Sequence, residues 1–298
     1  MSNNKTPLRY PGGKQRISAF IAEVLNENNI NQNYIEPYAG GAGVAIIMLL
    51  TGKVSNIYLN DSDRGIYAFW FSILNYTNEF CNLIRTVPLN ILEWRRQQRI
   101  AKAGDLSNIF ELGFSIFYLN RCNRSGVLSG GLIGGLMQSG KYKMDARFPR
   151  LQLIQRIEVI AKFKNGIHLT CLDAEEFLSK CVPILSNNSL VYLDPPYYVK
   201  GSSLYLNSYK KADHLRISKL IKTELSCKWM LSYDGVDDIR SLYSDKRNFL
   251  YSLQYNAAKV YMGKEIFIFS DNLRLPHSSS LPNINLGIQE LLLPPFIY

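Results

Sequence analysis

The chain has 298 residues, 47% of them hydrophobic, which suffices for one large or two modest packed domains and excludes a disordered chain. Its 34 Lys and Arg residues outnumber its 24 Asp and Glu residues, and this net charge of +10 favours a polyanionic partner or an acidic membrane surface. Five scattered cysteines include no CxxC pair, which argues against a disulfide framework and a zinc site. No apolar run approaches the roughly 20 residues that span a bilayer, and no signal peptide pattern opens the chain, so we expect a cytoplasmic protein without membrane contact.

The first motif in chain order is YPGGKQ, in which two glycines present Lys14 close to the aromatic ring of Tyr10. It does not match the phosphate-binding pattern GxxxxGK(S/T), because the first glycine and the final Ser or Thr are both missing. Taken alone, this segment is more simply interpreted as an ordinary turn.

A strand, a glycine-rich loop, a helix and a second strand are predicted next, in NYIE, PYAGGAG, VAIIMLL and NIYLND. The glycines permit a nucleotide-like ligand to approach the backbone, and Asp61 follows Gly41 by 20 residues, as expected for an acid that reaches ribose hydroxyls. Glu36 and Pro37 suit a cationic ligand better than a pyrophosphate, and Ile46 replaces the small residue of the dinucleotide pattern. Adenosine binding and plain helix–sheet packing both fit this loop.

The basic character is concentrated between residues 81 and 165, which contain 14 Lys and Arg but only 5 Asp and Glu. One group of these cations has helical spacing and can be a solvated helix face: Arg95, Arg96, Arg99 and Lys102. A second group lies among glycines and aromatics, where loop-borne cations suit phosphates: Lys141, Lys143, Arg147 and Arg150. We therefore expect this segment to contact nucleic acid.

Strand-like runs and helical stretches alternate again after the basic segment. HLTCLDA and LVYLDPPYY each predict a strand that runs into a carboxylate, and KWMLSYD predicts a further strand. Leucines and isoleucines between 215 and 225 have helical spacing, and FLYSLQYNA and EIFIFSD predict a strand pair. This alternation is typical of an α/β sheet with helices on both faces.

The turn Asp194-Pro195-Pro196-Tyr197 carries the most specific chemistry. Two prolines end strand pairing and hold a carboxylate and a ring at the carboxyl edge of the sheet, where open α/β sheets bind ligands. Asp194 and the Pro195 carbonyl can accept the two hydrogens of an exocyclic amine and localise its lone pair for attack on a methyl donor. The ring of Tyr197 can stack on an extruded base. A strand-ending turn with a surface tyrosine is the alternative.

Together, LRYPGGK, IEPYAGGAG, LNDSD, the basic segment and LDPPYY resemble the Dam-type family of adenine-specific DNA methyltransferases, in the same order and from about Pro7 to Ser270. The resemblance implies a Rossmann-like methyltransferase sheet, S-adenosylmethionine as cofactor, no metal, and double-stranded DNA as partner. It also implies a discontinuous catalytic domain of residues 1–66 and 165–275, a mainly helical target-recognition domain of residues 67–164, and a tail of residues 276–298.

The resemblance further implies roles for individual residues. The cofactor set comprises Tyr10, Lys14, Glu36, Pro37, Tyr38, Ala39, Gly40, Gly41, Asp61, Asp173 and Asp194. Within it, Tyr10 and Lys14 would contact the methionine part, Asp61 the ribose and Asp173 the adenine. The DNA set comprises Arg9, Asn120, Arg121, Asn123, Arg124, Lys141 and Lys143.

Several functions share the planar amine acceptor and stay open from the residues alone. DPPY-like turns also occur in methyltransferases of cytosine N4, RNA adenine and, as NPPY, glutamine amides. A regulator or specificity subunit that keeps the fold without catalysis is a different class. Duplex DNA adenine is favoured by the basic segment and by the long stretch of chain between the glycine loop and the DPPY turn, which can hold a recognition domain. The sequence leaves open a restriction or defence-system partner protein and whether the enzyme is a monomer or a dimer.

Overall fold

The computed structural model describes residues 5–9, 14–198, 209–256 and 260–276, with backbone only for 252–256 and 260–264. The strands are β1 (Asn33–Glu36), β2 (Asn56–Asn60), β3 (Ile167–Thr170), β4 (Ser189–Leu193), β5 (Lys228–Asp234), β6 (Arg247–Asn256) and β7 (Val260–Phe269). The α-helices are α1 (Ser18–Glu27), α2 (Gly43–Leu50), α3 (Arg64–Asn75), α4 (Thr77–Thr86), α5 (Ile91–Ala103), α6 (Ile109–Cys122), α7 (Arg150–Ala161), α8 (Ala174–Lys180), α9 (Lys211–Thr223) and α10 (Asp237–Leu242).

The strands form one sheet in the order β3-β2-β1-β4-β5-β7-β6. The first five are parallel to their neighbours, whereas β7 runs antiparallel to both β5 and β6. The chain moves outward from β1 to β3 and then returns to the other side of β1 with β4. The carboxyl ends of β1 and β4 therefore border the crevice at which open α/β sheets bind ligands.

Helices cover both faces of the sheet, so its central strands are buried throughout. All four residues of β1 and all five of β4 are buried. Alternate residues belong to different hydrophobic clusters: Tyr34 packs with α1 and α2 on one face, and Ile35 with α8 and α9 on the other. The predicted α/β sheet with helices on both faces is confirmed, including the final antiparallel strand pair.

The segment between β2 and β3 is helical, with α3 to α7. Its large aromatic residues, among them Phe69, Phe80 and Phe117, belong to the same buried cluster as α1 and α2. The helical character agrees with the predicted insertion, but the shared core does not separate it as an independent domain, and the domain boundaries stay a prediction.

Two sequence predictions concern residues that the structure does not describe. Tyr10 and nearly all of the predicted tail, from residue 277 onward, lie outside the described residues. Across the residues that are described, no helix is both long and apolar enough to cross a membrane. In the same part of the chain, no group of three or more His, Cys, Asp and Glu residues is arranged to hold a metal ion.

Candidate active site

The glycine loop after β1 is held by hydrogen bonds from several elements. Gly40 has a positive φ of 44°, a conformation that glycine adopts without steric cost. Its N–H donates to Oδ2 of Asp61 at 2.8 Å, and its carbonyl accepts from the indole N–H of Trp70 at 3.0 Å. The hydroxyl of Thr6 donates to the carbonyl of Gly41 at 2.6 Å. The loop is therefore preorganised against β2, α3 and the N-terminal segment.

Asn60, which sequence reasoning missed, joins the carboxyl ends of three strands. Its side-chain amide donates to the carbonyls of Pro37 at 3.1 Å and Leu172 at 3.0 Å. Its Oδ1 accepts from the N–H of Leu172 at 3.0 Å, and its own carbonyl accepts from the N–H of Ala39 at 2.9 Å. The available signal was its position next to Asp61 at the end of a predicted strand.

Two carboxyl groups border this loop. Glu36, the last residue of β1, is only 5% exposed and accepts a hydrogen bond from the N–H of Ala45 at 3.2 Å. Burial raises its pKa to about 8, although the Ala45 hydrogen bond opposes the shift. Asp61 is half-buried, and burial raises its pKa to about 7 against its hydrogen bonds from Asp63 and Gly40. Both groups can exchange a proton near neutral pH.

Tyr38 and Asp173 also lie in loops that follow strands of the sheet. The hydroxyls of Tyr38 and Tyr209 are 2.8 Å apart, which ties the glycine loop to the segment before α9. Asp173 is exposed and caps α8 by accepting from the N–H of Glu175 at 2.8 Å. The role of Asp173 beside the cofactor adenine stays a prediction.

The DPPY turn follows β4 directly, with Asp194 half-buried and Pro195 and Tyr197 buried. Oδ1 of Asp194 accepts from the hydroxyl of Ser232 at 2.9 Å and lies 3.2 Å from Nζ of Lys14. Within the described part of the chain, no hydrogen bond to Oδ2 is recorded. Burial raises the pKa of Asp194, and the Lys14 charge opposes that shift.

Lys14 lies at the DPPY turn. Its Nζ is 2.6 Å from Oε2 of Glu265 and 3.4 Å from the hydroxyl of Tyr197, and its side chain is 5% exposed. Although burial opposes it, the charges of Asp194 and Glu265 raise the pKa of Lys14. The contacts with Asp194 and Tyr197 were not foreseen from the sequence, and a contact with the cofactor stays a prediction. Glu265 was missed because it lies within an apolar strand pattern.

Asn120, predicted to approach DNA, is 2% exposed and bridges α6 to the N-terminal segment. Its Oδ1 accepts from the N–H of Arg9 at 2.7 Å, and its Nδ2 donates to the carbonyls of Arg9 at 2.7 Å and Gly126 at 2.9 Å. Because its hydrogen-bonding capacity is used inside the protein, this placement gives Asn120 a role in the fold, and its DNA contact stays a prediction.

Asn123 and Arg121 are buried in the same way, and their DNA roles likewise stay predictions. Asn123 is fully buried; its Oδ1 accepts from the indole N–H of Trp94 at 2.8 Å, and its Nδ2 donates to nearby carbonyls. Arg121 is 5% exposed and donates to the carbonyls of Arg147 at 2.5 Å and Pro7 at 3.4 Å. The pKa of Arg121 is lowered to about 9, mainly by burial and further by the positive charges of neighbouring guanidinium groups.

The remaining predicted DNA residues do reach the surface. Arg124, Lys141 and Lys143 are exposed, while Arg9 is half-buried and donates to the carbonyl of Asn123 at 2.9 Å. Arg150, by contrast, turns inward and donates to the carbonyls that end α4. The four cations of α5 are all exposed, as expected if they form a solvated helix face: Arg95, Arg96, Arg99 and Lys102.

A sheet with this strand order, a glycine loop after β1 and an acidic turn after β4 defines a Rossmann-like α/β fold whose ligand crevice lies at the carboxyl ends of β1 and β4. A sequence model of the D12 class N6 adenine-specific DNA methyltransferases matches residues 10–261. The chain therefore belongs to this family of S-adenosylmethionine-dependent enzymes, which methylate adenine N6 in DNA. This membership favours DNA adenine over the RNA, cytosine N4 and non-catalytic alternatives.

Individual relatives are more distant. The Type II methyltransferase M.MjaIII of Methanocaldococcus jannaschii is 25% identical over 260 residues, which cover 79% of this chain and 86% of that protein. A Listeria monocytogenes crystal structure described as a class I S-adenosylmethionine-dependent methyltransferase aligns with 11% identity and a TM-score of 0.39. The alignment covers 93% of this chain, which spans only 65% of that protein's length.

Proposed function

We propose that this enzyme transfers the methyl group to an adenine that has been flipped out of duplex DNA into the DPPY turn. The observation that carries this proposal is that the two oxygens of Asp194 differ in their hydrogen-bond partners. Oδ1 is engaged by Ser232 and Lys14, whereas Oδ2 has no recorded hydrogen bond among the described residues. Oδ2 and the Pro195 carbonyl are then the acceptors for the two N6 hydrogens.

An adenine N6 is a poor nucleophile because its lone pair is delocalised into the ring. Two acceptors on its hydrogens pull the amine toward a geometry in which the lone pair is localised on nitrogen. Lys14 and Ser232 hold the carboxylate of Asp194 in one orientation, so this geometry exists before the base arrives.

Tyr197 is the candidate stacking partner of the flipped base. Its hydroxyl donates to Oε1 of Glu265 at 2.8 Å, which fixes the inner end of the ring. The side chain is 7% exposed in this structure, so stacking requires DNA binding to uncover a ring face. Base–aromatic stacking contributes about 1–3 kcal/mol per base.

The loop of Pro37 to Gly41, with Glu36 and Asp61, forms the proposed cofactor site. S-adenosylmethionine carries a sulfonium and an ammonium charge, which the carboxylates of Glu36, directly before the loop, and Asp61, bonded to Gly40, suit when they are ionised. When bound, it supplies the methyl group. Asp61 holds the glycine loop by its bond to Gly40, and its remaining acceptor capacity suits ribose hydroxyls.

The DNA surface is proposed to comprise the exposed cations Arg124, Lys141 and Lys143, with Arg9 near the base site. Exposed cations on loops can neutralise phosphates without reading sequence. The similarity to a Type II methyltransferase supports a role beside a restriction or defence-system protein. We also infer a cytoplasmic, nucleoid-associated location from the DNA substrate.

The test is expression of this chain in a host free of DNA methylation, followed by single-molecule sequencing of the host DNA. We expect N6-methyladenine at one short consensus word. The Asp194→Ala variant, made at the same level, should leave the DNA unmodified. Unmodified DNA from the wild-type chain, purified and shown to bind S-adenosylmethionine, would overturn the proposal.

A further inference from the structure

Glu265 is a buried carboxylate in the middle of β7. It is 1% exposed, and its neighbours in the sheet are Asp234, the last residue of β5, and Tyr251 of β6. Because β7 runs antiparallel to β5, the middle of β7 lies beside the carboxyl end of β5, at the edge where the DPPY turn lies. The register that pairs Glu265 with Asp234 thereby brings this acid to the site.

Both oxygens of Glu265 contact groups of this site. Oε1 accepts from the hydroxyl of Tyr197 at 2.8 Å, and Oε2 lies 2.6 Å from Nζ of Lys14. The hydroxyl of Tyr251 also donates to Oε2. Lys14 in turn lies 3.2 Å from Oδ1 of Asp194, so one buried ammonium links the two carboxylates.

We propose that Glu265 is a positioning residue for methyl transfer, fixing the Tyr197 ring through its hydroxyl and the Asp194 carboxylate through Lys14. This proposal rests on the roles proposed above for Asp194 and Tyr197. Glu265 itself contacts neither the base nor the cofactor in this scheme. It determines where the stacking ring lies and which oxygen of Asp194 stays available for the N6 amine.

A contribution to stability alone is a weak explanation for this arrangement. Burying charged groups costs solvation free energy, and apolar residues of similar volume often stabilise a protein as well as a buried ion pair does. Here the charges converge on the side chains of Lys14, Asp194 and Tyr197 rather than on an arbitrary part of the core. That convergence favours a role in orienting those side chains.

Glu265 also acts on Asp194 electrostatically. The titratable or charged groups around Asp194 come from the N-terminal segment, β1, β4, β5 and β7: Lys14, Tyr34, Glu36, Tyr192, Tyr233 and Glu265. Burial raises the pKa of Asp194, Lys14 opposes the shift, and the negative charge of Glu265 raises it further. Removing that charge should therefore keep Asp194 ionised to lower pH.

The experiment compares Glu265→Gln, Glu265→Asp and the wild type in steady-state methylation across pH. Glu265→Gln keeps the side-chain length and an oxygen that accepts from the Tyr197 hydroxyl, but it removes the negative charge that pairs with Lys14. We expect kcat to fall by up to about 10²-fold, as a misplaced group can cause, with little change in KM for DNA. The acidic limb of the kcat/KM profile should move to lower pH.

Glu265→Asp keeps the charge but is too short to hold Tyr197 and Lys14 together. We expect a lower kcat with the acidic limb close to its wild-type position, because the charge near Asp194 is retained. Glu224→Gln, at an exposed position after α9, is the matched control and should behave as wild type. Melting curves measure how much of each variant is folded.

Two results would overturn the proposal: wild-type kcat in Glu265→Gln, or a loss that only follows the folded fraction while the acidic limb stays in place. The same limb shift in Glu265→Asp would also contradict it, since the charge is then not its cause. A wild-type chain that methylates no adenine rejects the proposed function itself. A normal wild type with a normal Glu265→Gln rejects only the positioning role.

Discussion

Ser232 of β5 donates a hydrogen bond to Oδ1 of Asp194, 2.9 Å away, at the end of the neighbouring strand β4. The parallel pairing of these strands brings the hydroxyl to the carboxylate. Lys14 lies on the same oxygen, 3.2 Å from it, so two groups from other parts of the chain hold this carboxylate. The orientation of the Asp194 side chain is thus a product of sheet register as much as of the DPPY turn.

Asp194→Asn should lower kcat by about 10²-fold or more, because an amide accepts the N6 hydrogens less well and introduces a donor. DNA affinity should change little, since Asp194 makes no contribution to phosphate binding. Transfer of a labelled methyl group and filter binding of the same DNA measure the two quantities. Asp237→Asn, which changes an exposed carboxylate at the start of α10, is the control. Near-normal turnover by Asp194→Asn would remove Asp194 from the mechanism.

Binding of S-adenosylmethionine should release protons and tighten as pH rises from 6 to 8. The folded protein holds protons on Glu36, with a pKa of about 8, and on Asp61, with a pKa of about 7. A cationic ligand favours the ionised carboxylates, so protons leave on binding. Calorimetry in two buffers of different ionisation enthalpy measures this release, and heats that do not depend on the buffer would contradict it.

Glu36 should also make the ligand-free protein less stable as pH rises. Its pKa is raised from 4.5 to about 8 by burial, so its contribution to stability is fully present below about pH 4.5 and is lost as pH rises toward 8. Glu36→Gln, which cannot ionise, should therefore gain melting temperature relative to the wild type between these values. If the difference in melting temperature between Glu36→Gln and the wild type were the same at pH 4.5 and at about pH 8, this prediction would be wrong.

Lys141→Gln combined with Lys143→Gln should weaken duplex DNA binding across all sequences. Each lost phosphate contact should make the slope of log K against log salt about 1 less negative. A double variant of two exposed lysines at other sites, Lys53→Gln with Lys219→Gln, is the matched control for net charge. Equal slopes for the two double variants would assign Lys141 and Lys143 to the solvated surface.

Asn120 and Arg124 lie close in sequence but should behave in opposite ways. Asn120→Ala leaves buried groups of Arg9 and Gly126 without partners and should destabilise the fold by about 1–3 kcal/mol. Arg124→Ala removes an exposed side chain and should change stability by no more than about 0.5 kcal/mol while weakening DNA binding. Denaturant unfolding and DNA titration of both variants check this contrast. A stable Asn120→Ala with weakened DNA binding would restore Asn120 to the DNA surface.

The sequence by itself determined the sheet and the turn of the active site. Buried strands such as NYIE and SLVYL, each followed by a glycine or proline turn, depend on local patterning, which can be read without tertiary information. The positions of Glu36, Asp61 and Asp194 at strand ends followed from the same patterns. The family resemblance carried by the ordered motifs agreed with the family match.

Only the tertiary structure decided which polar side chains face inward. The family resemblance assigns Asn120 and Asn123 to DNA, yet long-range partners such as Arg9 and Trp94 bury them. Glu265 reads as one residue of an apolar strand, and only the antiparallel placement of β7 brings it to Lys14 and Tyr197. Such contacts depend on sheet order and on residues far apart in the chain, which local periodicity does not encode.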